Sequence, residues 1–163
     1  MNQREIESQL FKWLVEFVEV SNDKLNGWPP CPFAKQARLK ENIKILFDDI
    51  KLDVTVEQAI PLLNEKEVVI ICFDHKFYNA DFIQQYVKDL NIKLKLQDIV
   101  VLEDHPDNEE YINNVKMNFG LCGLLVLQKL SLLNLHSQKL QEKGYYNVWS
   151  ESELQDVVNW RFK

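Results

Sequence analysis

Val68-Val69-Ile70-Ile71-Cys72-Phe73-Asp74-His75 is the stretch whose reading decides the fold. An unbroken apolar run rich in β-branched residues, stopped by a polar pair, has no polar face to turn toward water. It reads as a strand covered on both sides. Only helices packed on the two faces of a sheet provide that cover, so the run points to the α/β class. Upstream, Ile43-Lys44-Ile45-Leu46-Phe47 reads as a strand stopped by Asp48-Asp49. A short helix over residues 54–64 starts near Thr55, with Glu57 in its first turn and Pro61 awkward inside it. Downstream, residues 78–90 place Phe82, Ile83, Tyr86, Val87 and Leu90 on one helical face, capped by Asn79 or Asp81. A third strand covers residues 99–102, with the alternating residues 92–96 as its possible extension.

The alternation of strand and helix predicts βαβ units: a three- to four-stranded, mostly parallel sheet flanked by helices. Residues 2–25 read as an N-terminal amphipathic helix, with Ile6, Leu10, Trp13, Leu14, Phe17, Val18 and Leu25 on its apolar face. Asn26-Gly27 ends it, Pro29-Pro30 forbids continuation, and Pro32 suits the start of a short helix over residues 33–39. Residues 110–143 read as a long helix bent near Gly120-Leu121-Cys122-Gly123, followed by an edge strand over residues 145–149. Ser150 with Glu153 is a capping-box pattern opening a final helix. No repeat or linker divides residues 1–163, which fit a single α/β domain.

Composition narrows the function classes. Hydrophobic residues make up 46% and charged residues 27% of 163, the balance of a folded globular chain. A formal net charge of -6 leaves no broad basic surface, so nucleic acid is not the expected ligand. The basic cluster Lys35, Arg38, Lys40 and Lys44 reads as a solvated helix face. Cys31, Cys72 and Cys122 are odd in number and widely spaced, without a CxxC pair, as expected of reduced thiols in the cytoplasm. Charged Arg4, Glu5 and Glu7 argue against a signal peptide, and the apolar stretch 121–127 is too short to span a bilayer. The expected partners are a small molecule or a protein, not a membrane.

Chemistry is expected at the strand ends. Asp48-Asp49, Asp74-His75 and Glu103-Asp104-His105-Pro106 each follow a strand. In a parallel sheet these ends share the carboxyl edge, where α/β proteins bind ligands. His75, His105 and Asp74 are the candidate ligands of a divalent metal; His105 and Asp104 are candidate catalytic groups for a metal-assisted hydrolytic or transfer step. The competing reading makes the same residues loop starts and helix caps. His136, among leucines, reads as a packed or partly exposed helical histidine.

Cys31 is the other catalytic candidate: a helix start after Pro32, with Lys35 a turn on, would lower its thiol pKa, whereas the competing reading makes it a buried, inert small residue. Trp28, Phe33, Lys35 and Arg38 around it, and Tyr111 beyond His105, are the ligand-contact candidates. Cys72 and Cys122 read as core residues. Two non-enzymatic or redox alternatives stand beside this: a regulatory protein binding a partner through Trp28, Trp149 and Trp160, and a thiol-redox protein using Cys31.

Cys31-Pro32-Phe33-Ala34 resembles a segment of glutaredoxin-like proteins and omega-class glutathione transferases, although those place a strand before the cysteine and a cis-proline later. Trp13-Leu14, Cys31-Pro32-Phe33-Ala34, His105-Pro106 and Tyr111-Ile112-Asn113 together resemble a bacterial family of unknown function with an early Leu-Cys-Pro-Phe-Ala signature. The chain departs from that pattern at Trp28-Pro29-Pro30 and at Lys76, where a proline is expected, and it lacks an arginine near Asn114. The resemblance implies the fold and points to the same candidate residues; it carries no activity.

Overall fold

The computed structural model describes residues 2–163. Helix α1 (Gln3–Trp13) is capped by Asn2, whose side chain accepts the Glu5 N–H, and runs on through one wider turn, Leu14–Val18. The helix expected to reach Leu25 stops here, and Asp23–Leu25 form a separate turn capped by Asn22. Then follow α2 (Ala34–Leu39), β1 (Ile43–Phe47) and α3 (Leu52–Ala59). Pro61 sits in the first turn of a tighter segment, Ile60–Asn64, where its missing N–H has no partner to lose. Next come β2 (Val68–Phe73), α4 (Ala80–Leu94) and β3 (Ile99–Asp104). The α4 cap is Asn79, which accepts the Phe82 N–H at 2.9 Å. Residues 92–96, with their alternating pattern, close α4 and the turn after it instead of extending β3.

The region expected as one long helix is built otherwise. It holds a small hairpin, β4 (Tyr111–Ile112) and β5 (Val115–Lys116), then β6 (Gly123–Lys129), and only then α5 (Leu130–Glu142). Gly123-Leu124-Leu125-Val126-Leu127 is apolar throughout, and an apolar run without a polar phase does not distinguish strand from helix. The expected edge strand near Tyr145 is a turn, Tyr145–Val148; α6 (Glu151–Val157) carries the capping box of Ser150 and Glu153.

The sheet is ordered β1-β2-β6-β3, so the α/β architecture and four flanked strands stand. β1 and β2 pair in parallel, whereas β6 lies antiparallel between β2 and β3. The sheet is therefore mixed, with two of its three neighbouring pairs antiparallel. Because β6 opposes both neighbours, β1, β2 and β3 still run the same way. Their carboxyl ends meet along one edge.

Side chains of β2 alternate between two cores, as a pleated strand requires. Val69, Ile71 and Phe73 join Leu52, Val56, Ile83 and Val87 beneath α3 and α4. Ile70 and Cys72 join Leu10, Phe119, Cys122 and Leu124 beneath α1. Each such side chain contributes about 1.5–3 kcal/mol by leaving water. The outer edge of β3 is closed by Asn91, whose amide donates to the Val101 carbonyl at 3.0 Å and accepts the Val101 N–H at 2.8 Å. One side chain thus satisfies both groups that a neighbouring strand would otherwise satisfy. Among the described residues, no helix is long and apolar enough to cross a membrane.

Gly123 faces Phe73 across the β2–β6 pair, and a Cβ there would stand 2.1 Å from the Phe73 ring. That ring is itself wedged against Tyr78 and His105. Gly123→Ala is predicted to lower the urea-unfolding free energy by about 1–3 kcal/mol through overpacking. A loss below about 0.5 kcal/mol would mean that the ring moves aside freely.

Candidate functional site

The strand ends do bring the two histidines together. His75, on the turn after β2, and His105, directly after β3, lie with ring centroids 6.0 Å apart and planes crossed at 85°. What each ring can do is set by its hydrogen bonds. His105 is 2% exposed. Its Nδ1 accepts the Asp107 N–H at 3.0 Å, which leaves the proton on Nε2. Nε2 stands 2.8 Å from the Tyr78 carbonyl oxygen, which can only accept, so Nε2–H donates to it. Both nitrogens are engaged. The ring has no lone pair for a metal and no free nitrogen to relay a proton.

Asp104 is committed in the same way. Its Oδ2 accepts the Phe119 N–H at 2.8 Å and its Oδ1 accepts the Asn118 amide at 2.7 Å. Burial raises its carboxyl above the ordinary range against the pull of these donors. Asn118 also donates to the carbonyls of His105 and Asn108, so the pair ties the end of β3 to the returning chain. Asp74 accepts the Lys76 N–H on Oδ1, while its backbone oxygen accepts the N–H groups of Phe77 and Tyr78. Asp48 accepts the Thr55 hydroxyl at 2.7 Å, and Asp49 accepts the Gln3 amide. Among the described residues, no group of three or more His, Cys, Asp or Glu side chains is arranged to hold a metal. The donor set of His75, His105 and Asp74 therefore does not fit a divalent metal, and the loop-start and cap reading describes these acids better.

Cys31 sits with Val18, Glu19 and Tyr145 instead of with the strand ends. Its N–H donates to the Val18 carbonyl, and the Tyr145 hydroxyl donates to the Pro30 carbonyl at 2.5 Å. The residue is exposed, yet the protein packed around the thiol raises its pKa. The N–H groups of Phe33 and Ala34 oppose the rise, and the Glu19 carboxylate adds to it. The lowered pKa expected of a helix start is not found; α2 is a helix of only six residues.

The ligand-contact candidates are largely paired within the fold. Arg38 grips Glu19 through two hydrogen bonds of 2.6 and 2.9 Å, with the Glu19 side chain 4% exposed. Phe33 stacks on His136 at 3.9 Å, and that histidine, expected as packed or partly exposed, is half-buried in α5. Trp28 meets the edge of Tyr145. Lys35 is exposed beside a shallow depression lined by Pro32, Gln36, Leu39 and Lys40. Tyr111 is exposed on β4 and donates to Glu109 at 2.9 Å. Trp149, half-buried, packs on Tyr145 and Tyr146, and Trp160 donates to the Asp156 carbonyl. The three tryptophans expected as partner contacts are thus all partly covered.

A different aromatic surface occupies the carboxyl edge. Phe77, 78% exposed, stands at the tip of the turn after β2. Its ring meets Tyr78 at 4.8 Å; Tyr78 stacks on Phe82 at 5.6 Å, and Phe82 on Tyr86 at 5.8 Å. Ile50, also 78% exposed, lies on the neighbouring loop, which the Leu52 N–H joins to the Tyr78 hydroxyl at 3.4 Å. Of the residues that the sequence places on one face of this helix, Ile83 and Val87 are buried, whereas Phe82 is 48% exposed. Comparison with protein-family models, curated proteins and solved structures finds no match for the chain.

His105→Ala is predicted to cost about 2–3 kcal/mol in chemical unfolding, because it removes a buried ring and leaves a part-buried carbonyl and N–H without their partner. His75→Ala should stay within about 0.5 kcal/mol. Glu110 adds a pH signature: desolvation, then Asp104, Glu103 and Asp156, raise its carboxyl to about 7 from an ordinary 4.5. A raised acid binds its proton more tightly in the folded state, so its contribution to stability is complete below pH 4.5 and is lost as the pH climbs through about 7. Glu110 is exposed over much of its surface, so water screens the effect and the slope should be shallow. Unfolding midpoints measured across this window should decline with pH, and Glu110→Gln should flatten the decline.

Proposed function

We propose that this is a non-catalytic binding protein that recognises another protein through the carboxyl edge of its sheet. One contrast carries the reading. Along that edge His105, Asp104, Asp74 and Asp48 are bound internally, while Phe77, Phe82 and Ile50 face water. Scattered apolar residues on a surface are ordinary, but an aromatic row with an apolar neighbour marks a contact site. The row is also held in place. Asp74 closes the turn with three hydrogen bonds, His105 fixes the Tyr78 carbonyl, and Asn79 caps α4. An anchor ordered before binding loses little conformational entropy when the partner arrives. The hydrolytic or transfer reading has weaker support: His75 and His105 meet, but both His105 nitrogens are engaged and, among the described residues, no third donor joins them.

The test is selection of peptides from a random displayed library on the immobilised protein. Selected peptides are expected to lose at least about tenfold in affinity against Phe77→Ala, a change of about 1.4 kcal/mol, with the circular dichroism spectrum unchanged. Peptides indifferent to Phe77 would contradict the proposal. So would saturable binding of Zn²⁺ or Mn²⁺ in calorimetry that His75→Ala abolishes.

A further inference from the structure

We infer that the partner segment is a basic amphipathic helix that lays its apolar face on the Phe77–Tyr86 row. This rests on reading the edge as a recognition surface, and it adds the chemistry of what binds there. Two observations carry it: the charge around the row and the spacing within it.

The two loops and the helix start that frame the row, residues 48–53 and 74–82, hold five aspartates against two lysines. Asp53 accepts the Tyr86 hydroxyl at 2.8 Å, and both Asp48 and Asp53 lie near enough to the Tyr78 hydroxyl to raise its pKa alongside burial. Asp49 precedes Ile50, Asp81 precedes Phe82, and Asp74 closes the turn that carries Phe77. Of the two lysines, Lys51 faces Asp53 at 3.9 Å. An apolar strip rimmed by an excess of carboxylates favours a partner whose apolar residues are flanked by Lys or Arg, and it speeds their encounter. The same field, with a net charge of -6, repels anionic lipid surfaces, nucleic acid and acidic peptides.

Spacing selects the helix. Successive rings of Tyr78, Phe82 and Tyr86 are 5.6 and 5.8 Å apart with planes tilted by only 22° and 17°. A helix advances about 6 Å between residues i and i+4, so apolar side chains at that interval match the spacing of the row, in which Phe82 is exposed and Tyr78 and Tyr86 are half-buried. An extended strand repeats same-face side chains every 6.6–6.8 Å or so and drifts out of register within a few residues. Helix-on-surface recognition through anchors at i, i+3 and i+4 is a general mode.

The experiment uses the full chain and three synthetic peptides about five turns long. One has an apolar face flanked by lysines, the second the same face flanked by glutamates, and the third the lysine composition scrambled so that no face forms. Affinity is read by fluorescence anisotropy, and the binding site by amide chemical-shift changes. The basic amphipathic peptide should bind at least about tenfold more tightly than either of the others and shift the amides of Phe77 to Tyr86. Phe77→Ala should weaken it at least about fivefold and Asp81→Asn about two- to threefold, the size expected of a rim charge. Equal or tighter binding of the glutamate peptide at the same amides would overturn the charge inference and leave the recognition surface standing. Equal binding of the scrambled peptide would overturn the helix. If no peptide shifts the amides of Phe77 to Tyr86, both the inference and the recognition surface fall.

Discussion

The hydrogen bonds of one buried imidazole set the shape of the carboxyl edge. His105 donates from Nε2 to the carbonyl of Tyr78, which belongs to the turn after β2, and accepts at Nδ1 from Asp107, in its own loop. β2 and β3 are not neighbours; β6 lies between them. His105 therefore spans a strand, joining two ends that the sheet hydrogen bonds leave apart. A hydrogen bond inside a protein contributes about 0.5–1.5 kcal/mol when made and costs more when one partner is left buried alone. That asymmetry makes the imidazole a strut: losing it takes the partner from two part-buried backbone groups at once. Asp104 performs the matching task one residue earlier, holding Asn118 and Phe119.

From that strut the features of the edge follow in order. The Tyr78 carbonyl is fixed, so the turn from Asp74 to Asn79 is fixed at both ends. Phe77 then projects into water from ordered backbone instead of folding back on the core. Tyr78 begins the ring row that continues along α4, and its hydroxyl meets the loop that carries Ile50. His105, Asp104 and Asp74 build the scaffold here, while Phe77 and Phe82 face outward. Catalytic edges are built the other way, with free nitrogens and carboxylates converging on a cavity.

Much of this order was legible in the residues, and the rest was not for identifiable reasons. The run from Val68 to Phe73 gave the class of fold, because a strand apolar on both faces needs cover on both. The polar strand ends gave the meeting of His75 and His105. β6 stayed hidden because residues 123–127 are apolar without interruption, so periodicity had nothing to measure. The commitment of His105 was also out of reach: its decisive partner, the Tyr78 carbonyl, is a backbone group that every residue possesses. Arg38 and Glu19 form a bidentate pair across a sequence gap that no local motif encodes. Phe82 shares its helical face with Ile83 and Val87 in the sequence pattern, and only the packing of α4 separates the exposed ring from the buried pair.

The ring of His105 is the most direct place to test the account. Long-range ¹H–¹⁵N correlation of the histidine side chains reports which nitrogen carries the proton. The hydrogen bonds predict a ring whose Nε2 carries the proton while Nδ1 accepts, and a spectrum that stays unchanged when Zn²⁺ is added. A proton on Nδ1, or a shift of the His105 nitrogens together with those of His75 on adding the metal, would contradict it and return the edge to metal chemistry.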